Sequence, residues 1–315
     1  MSLSNCTFPN CLKSAKVVAV PKCKNPSLQD LRPISLLPFC SKIFEKLFYE
    51  KTKKIFANHF GPYQYGFRPH SSTCHALIAI HNYITLQCDD VSTLGVELIA
   101  FDFSKAFDSL KYDVIVNRLV ACNFPMNIVK WLLSYLSGRT QFVFYSNTMS
   151  DITSVSSGVP QGSVIGPALF ALIMGDLSPI YATTGLFLYA DDVTVCIPTL
   201  KHSHNLSDEV NNVRNWSNKV YLTLNNTKTK SMYFNCSKSG VPVCNSLPIP
   251  IVNVSNLKLL GVIFSCNLRW DNHIAHLSRI IHCRLYALRV LKSTVSRESL
   301  ILFYCQFIRS LSVHC

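Results

Sequence analysis

The sequence predicts a mixed α+β fold, in which amphipathic helices and short apolar strands alternate along 315 residues. Three observations carry this. Hydrophobic residues make up 49% of the chain and charged ones 15%, which is enough apolar surface to offset the entropy of ordering it. Several stretches repeat apolar residues at spacings of three and four, as a helix with one buried face requires. Others are brief β-branched runs, two of which lead directly into aspartate. The length suits two or three structural units, or one multi-lobed domain.

The first forty residues read as strand, loop, strand. Lys16 to Val20 is apolar and β-branched, Pro21 to Asp30 is rich in Lys, Pro and Asn, and Arg32-Pro33-Ile34-Ser35-Leu36-Leu37 follows. Ser41 can cap a helix running towards Asn58. Its apolar face would be Ile43, Phe44, Leu47, Phe48, Ile55 and Phe56, with Lys42, Lys46, Lys51, Lys53 and Lys54 outside. Helices are also expected over Thr73 to Gln87, Asp113 to Cys122 and Asn127 to Leu136, and strands at Val96 to Phe103 and Leu186 to Tyr189. Ser157 to Gly162 is a Gly/Pro turn opening an apolar helix through Met174. Leu206, Val210, Val213, Trp216 and Val220 mark another helix. Strands follow near Met232 to Phe234 and Leu257 to Phe264, then a helix from about Asn272 to Leu291. The apolar run Ser299 to Cys315 has no cap or stop signal and reads as a break in a longer chain.

Charge is unevenly distributed. Residues 1–60 carry ten Lys/Arg against three acids, residues 61–200 six against ten, and residues 201–315 fourteen against four. Two basic flanks (+7 and +10) therefore bracket an acidic centre (−4). Basic surfaces attract a phosphate backbone, and an acidic centre between them can gather divalent cations; ordinary solvated faces are the plain alternative. Fourteen cysteines are scattered without zinc-like spacing or a CxxC pair. With no signal-peptide pattern, they read as reduced thiols of an intracellular protein. The longest apolar stretch, Val164 to Met174, falls short of the roughly 20 residues that span a bilayer, so no membrane partner is expected.

Tyr189-Ala190-Asp191-Asp192 lies between two apolar strands, Leu186-Phe187-Leu188 and Val193 to Ile197, and reads as a hairpin with two carboxylates at its tip. Adjacent like charges raise each other's pKa, and a cation there would relieve the repulsion; an exposed acidic turn is the bland reading. Asp102 interrupts a second apolar run, where an unpaired charge would be costly. Three carboxylates suffice for two Mg²⁺ ions roughly 3.5–4 Å apart, an arrangement suited to activating a 3′-hydroxyl and stabilising departing pyrophosphate.

The run FDFSKAFDSL, then SGVPQGSVIGP, then YADD resembles the palm motifs of reverse transcriptases in that order. RPISLL, QYGFRP and WSNKVYLTLNNTKT resemble the accompanying signatures of non-LTR (LINE-type, jockey-like) retrotransposon enzymes. The likeness runs from about Phe8 to Leu291. It implies a right-hand polymerase fold: fingers with a basic N-terminal region over 1–95, a palm over 96–265 with fingers/palm helices at 113–137, and a partial, truncated thumb over 266–315. It implies RNA-directed DNA synthesis, as in target-primed retrotransposition. The implied partners are an RNA template, a DNA primer and deoxynucleoside triphosphates (dNTPs), and the implied cofactors two Mg²⁺ ions, with Mn²⁺ able to substitute. The implied location is the nucleus, the cytoplasm or both.

Carried over residue by residue, Asp102 and Asp191 match the metal-ligating aspartates, and Asp192 matches the second acid of the hairpin. Lys228 matches the lysine thought to assist proton transfer to pyrophosphate, with Lys230 close enough to compete. Arg32 matches a fingers residue that contacts the triphosphate, and Lys22 is its companion or a solvated loop lysine. Phe107 falls where an aromatic ring excludes a sugar 2′-hydroxyl, unless it is a core residue. Gln161 and Gly162 match the turn that positions the nascent base pair, and Gln64, Phe67 and Arg68 the template-handling motif.

Complete members of this family carry an endonuclease before the polymerase and a longer thumb after it, so a fragment is expected. Two rival functions stay open: an RNA-directed RNA polymerase, against which Phe107 argues, and a catalytically impaired nucleic-acid-binding remnant.

Overall fold

The computed structural model describes residues 2, 4–22, 25–27, 30–145, 148–200, 206–236 and 251–313. Residues 23, 24, 28 and 29 of the expected N-terminal loop, and the last two of the apolar C-terminal run, lie outside them.

Strands β1 (Ser14–Pro21) and β2 (Leu31–Leu36) pair antiparallel, with Val20 opposite Arg32. Helix α1 (Phe39–Ala57) starts before the expected cap. Pro38 is its N-cap, and Ser41 lies inside, its hydroxyl donating to Glu45 Oε1 at 3.2 Å. Its buried face also differs from the apolar stripe. Ser41, Glu45, Phe48, Thr52 and Phe56 are buried, whereas Ile43, Phe44 and Leu47 are exposed. The reason is polar: Glu45 Oε2 accepts the N–H groups of Val164 and Ile165 at 2.7 and 3.4 Å, which turns that side of the helix inward. The five lysines face solvent as expected.

Helix α2 (Thr73–Asp89), capped by Ser72, leads into β3 (Thr93–Phe101) and the short β4 (Phe103–Ser104). Helices α3 (Ala106–Ser109), α4 (Tyr112–Ala121) and α5 (Met126–Leu136) follow. No element is expected between Leu136 and Ser157, yet β5 (Arg139–Tyr145), β6 (Thr148–Met149) and β7 (Thr153–Val155) form there. β5 pairs parallel with β1, so β5 to β7 join the N-terminal sheet. Only Arg139 is fully buried along β5, so the strand carries no clean inside/outside alternation to read.

Helix α6 (Gly166–Met174) buries all its residues except Pro167. It precedes the hairpin β8 (Gly185–Tyr189) and β9 (Asp192–Leu200). Then come α7 (Leu206–Lys219), β10 (Thr223–Leu224), β11 (Lys230–Asn235) and β12 (Val252–Asn253). Leu257 to Phe264 is a hairpin and not one strand: β13 (Asn256–Leu259) and β14 (Val262–Ser265) flank Leu260 and Gly261, both at positive φ. Helix α8 (Asp271–Leu291) follows, then α9 (Arg297–Phe303), which Ser296 caps by accepting the Ser299 N–H.

The central sheet has the order β12-β11-β3-β9-β8 and is antiparallel except for β11–β12. One face packs on α4 to α7, the other on α2 and the β13–β14 hairpin. Cover on both sides explains why β3 and β9 are buried almost throughout. One expectation is corrected: Cys88 and Cys236, with Cα atoms 4.9 Å apart, form a disulfide, so the thiols are not uniformly reduced. They are 148 residues apart in sequence and meet because β11 runs beside β3, which follows α2. Among the described residues no helix is long and apolar enough to cross a membrane.

Candidate active site

The register of the central sheet gathers the three aspartates. Phe101 pairs with Val193, so Asp102, one residue further, stands beside Asp192, which itself faces Tyr189 across the β8–β9 hairpin. Ala190 and Asp191 form the two-residue turn. Ala190 has φ 56°, a conformation that costs a residue with a Cβ on the order of 1–3 kcal/mol. Asp102 is held from β11's side: its N–H donates to Thr229 Oγ1 at 3.3 Å, its carbonyl accepts the Asn225 N–H at 2.8 Å, and its carboxylate accepts from the Asn225 side chain.

Loss of solvent and mutual repulsion act on these acids together. Burial, opposed by Lys228 and Lys22 and reinforced by Asp191, raises Asp102 above the usual carboxylate range. Asp192 keeps an edge open to solvent, yet the protein crowding its carboxyl, then Asp191 and Asp102, push it up to about 6. A cavity of about 220 Å³ beside the corner is lined by Asp102, Asp192, Tyr189, Lys228 and Lys230. Both candidate lysines thus line it, and Lys228 is the one that acts on Asp102.

Among the described residues no three Asp, Glu, His or Cys side chains form a ready-made metal cage. The donors nevertheless suit Mg²⁺, a hard ion that binds through one or two carboxylates and completes its shell with water and substrate phosphates. Burial is the main cause of the raised Asp102 and Asp192 carboxyls, and a cation would offset both it and the repulsion among the acids.

The residues expected around the nucleotide form a stitched unit. Phe107 is half-buried and stacks on Phe170 of α6, with centroids 4.4 Å apart. Its carbonyl accepts the Val159 N–H at 2.8 Å, which ties α3 to the Ser157–Gly162 turn. Gln161 Nε2 donates to both carboxylate oxygens of Asp108 at 3.0 Å, and its carbonyl accepts the Ser35 N–H from β2 at 2.8 Å. Gly162 has φ 111°, and a Cβ there would lie 2.9 Å from the Ser35 carbonyl oxygen, so the close approach is to the N-terminal sheet. Lys22 acts electrostatically on both Asp102 and Asp108, while Arg32 stands exposed on β2.

Asp108, Asn225 and Glu45 position this site without having been singled out in the sequence. Asp108 carried a signal, as a second acid in the same apolar run as Asp102. Asn225 and Glu45 act on groups distant in sequence, and the sequence shows nothing of those bonds.

The template motif divides. Phe67 and Arg68 are exposed on a loop, but Gln64 is 1% exposed and lies beneath the acidic hairpin. Its Oε1 accepts the N–H groups of Gly66 and Ala190 at 2.8 and 3.2 Å. Gln64 is thus buried where its two companions in the expected template motif are exposed.

The family model described as reverse transcriptase (RNA-dependent DNA polymerase) matches residues 20–264. Similar proteins include the probable RNA-directed DNA polymerase from transposon X-element of Drosophila melanogaster, 27% identical over 85% of this chain and 30% of that protein. The one from transposon BS of the same species is 28% identical over 98% and 35%, and the one from mobile element jockey of Drosophila funebris 26% over 93% and 33%. The chain spans about a third of the length of these curated relatives. Among solved structures, telomerase from Candida tropicalis in complex with a TWJ fragment of telomeric RNA gives a TM-score of 0.58 at 13% identity, covering 95% of this chain and 53% of that one. At that identity the likeness concerns the fold.

Proposed function

This chain belongs to the reverse transcriptase (RNA-dependent DNA polymerase) family, and from that premise we propose that it copies an RNA template into DNA by two-metal nucleotidyl transfer. The observation that carries the reading is the gathering of Asp102, Asp191 and Asp192 at one end of a sheet buried on both faces, with Lys228 and Lys22 in electrostatic range of Asp102.

Asp102 and Asp191 would hold the ions, with Asp192 in support. Two Mg²⁺ ions, or Mn²⁺ in their place, would supply activation of the primer 3′-hydroxyl and neutralise charge developing on the pyrophosphate. Lys22 and Arg32 neutralise the incoming triphosphate, and Lys228 gives a proton to the leaving pyrophosphate. Phe107, fixed by its stack on Phe170, walls the sugar at C2′ and so selects dNTPs. Gln161, anchored by Asp108, supports the nascent base pair. Phe67 and Arg68 contact the template. In this reading residues 1–95 are fingers, 96–265 palm, and 266–315 part of a thumb, with β5 to β7 extending the fingers sheet.

The test is extension of a DNA primer on an RNA template with dNTPs, with and without Mg²⁺. Metal-dependent extension supports the proposal. Tight template binding with no extension under any divalent cation would leave the nucleic-acid-binding remnant in its place.

A further inference from the structure

The Ala190-Asp191 turn carries a catalytic aspartate on strained backbone, so something outside the hairpin must hold its shape. The segment Tyr63 to Gly66 lies against β8 as a short parallel addition to the sheet. The Leu188 N–H donates to the Tyr63 carbonyl at 2.9 Å, and the Tyr65 N–H donates to the Leu188 carbonyl at 2.8 Å. From this segment Gln64 Oε1 reaches the Ala190 N–H, the amide of the residue at positive φ. Gly66 sits so close that a Cβ on it would lie 2.4 Å from the Ala190 nitrogen.

We propose that Gln64 and Gly66 clamp the Ala190-Asp191 turn, with Gln64 acting as a positioning residue for catalysis. The side-chain chemistry fits this role. Gln64 Nε2 is buried and has no hydrogen-bond partner among the described residues, so the position bears the cost of an unpaired amide group. An apolar side chain would fill the space without that cost; what glutamine adds is the acceptor oxygen, used twice. A glutamate would offer the same acceptors but bring a further negative charge towards Asp102, Asp191 and Asp192. The amide supplies the acceptor without the charge.

The inference rests on the polymerase reading, because the shape of the turn matters through its aspartates. It is tested on the full chain in two ways. Hydrogen exchange in the wild-type protein should show the Ala190 amide protected, and Gln64→Leu should release it while leaving the amides of α6 protected. In primer extension, kcat for Gln64→Leu should fall by about 10²-fold, the scale of a roughly 1 Å misplacement of a catalytic group. Template Kd and dNTP KM should stay within about 3-fold of wild type. Gly66→Ala, which displaces the turn by collision, should show the same split. Template binding that weakens in parallel with kcat would restore Gln64 to the template and overturn the clamp. So would an unprotected Ala190 amide in the wild-type protein, a result obtained whether or not any variant folds. Failure of the wild-type chain to extend a primer would count against the polymerase reading, while the exchange data would still decide whether the clamp exists.

Discussion

The corner around Asp102 and the C-terminal helices are built on opposite principles. At the corner the functional groups are tied to segments distant in sequence: Asp102 to Asn225 and Thr229, the hairpin turn to Gln64, Gln161 to Asp108 and β2. Helix α8 runs for 21 residues and buries only His273, while Tyr286, Val290, Ile301 and Leu302 of α8 and α9 stand exposed. On the proposed reading the difference separates chemistry from grip. Carboxylates must be fixed to about half an ångström, whereas phosphate binding needs only charge at roughly the right distance.

The largest effect that would break this separation is electrostatic. With about 6–10 phosphate contacts, template affinity should fall on the order of 10³–10⁵-fold between 50 and 200 mM salt. Arg279, Arg289 and Lys292 are exposed on or just after α8, and replacing all three with Gln should cut the salt slope by up to about 3 while kcat stays unchanged. A filter-binding titration checks this, and a flat curve would remove nucleic acid as the main partner.

Glu45 sharpens the other side of the comparison. Glu45→Leu leaves the Val164 and Ile165 N–H groups without their buried acceptor, at about 1–3 kcal/mol, read as a lower urea midpoint with unchanged m. Burial holds the Glu45 carboxyl above its usual range, so the folded state retains the proton longer than the unfolded one. Its contribution to stability therefore declines as pH rises from the ordinary glutamate range through the raised folded value. Glu45→Gln should flatten that slope in pH-dependent urea melts.

Phe107→Val should lower the ratio of kcat/KM for a deoxynucleotide over its ribonucleotide by about tens-fold, since displacing a packed wall costs about 1–3 kcal/mol. Deoxynucleotide incorporation should survive, because Gln161 and the aspartates are untouched. An unchanged ratio would make Phe107 a core residue stacked on Phe170 and would remove the argument against an RNA polymerase. The smallest effect lies on α8. Tyr286→Ser should change stability by no more than about 0.5 kcal/mol, as an exposed position allows.

What the sequence revealed follows the same division. The acidic hairpin, Asp102 at a strand end and most helices were legible, because each rests on local spacing and on the cost of a charge in an apolar run. The buried face of α1 was not, because Glu45 turns inward to serve two amides some 120 residues away. β5 escaped notice because its partner β1 lies far upstream and its faces do not alternate. Gln64 was assigned with its exposed neighbours, since nothing in sequence separates a glutamine under a hairpin from one on a loop. Cys88 and Cys236 were missed for the same reason, being joined by the sheet and not by spacing.

If the gathered aspartates perform the chemistry while other surfaces hold the nucleic acid, rate and binding must respond separately to one substitution. Asp191→Asn, nearly isosteric at the hairpin turn, separates the two most directly when Mg²⁺-dependent primer extension and template binding are measured on the same preparation. Extension should fall on the order of 10³-fold or more, with template Kd within about 2-fold of wild type. Extension at the wild-type rate, or a loss of binding that accounts for the loss of rate, would show that the aspartates do not carry the chemistry alone.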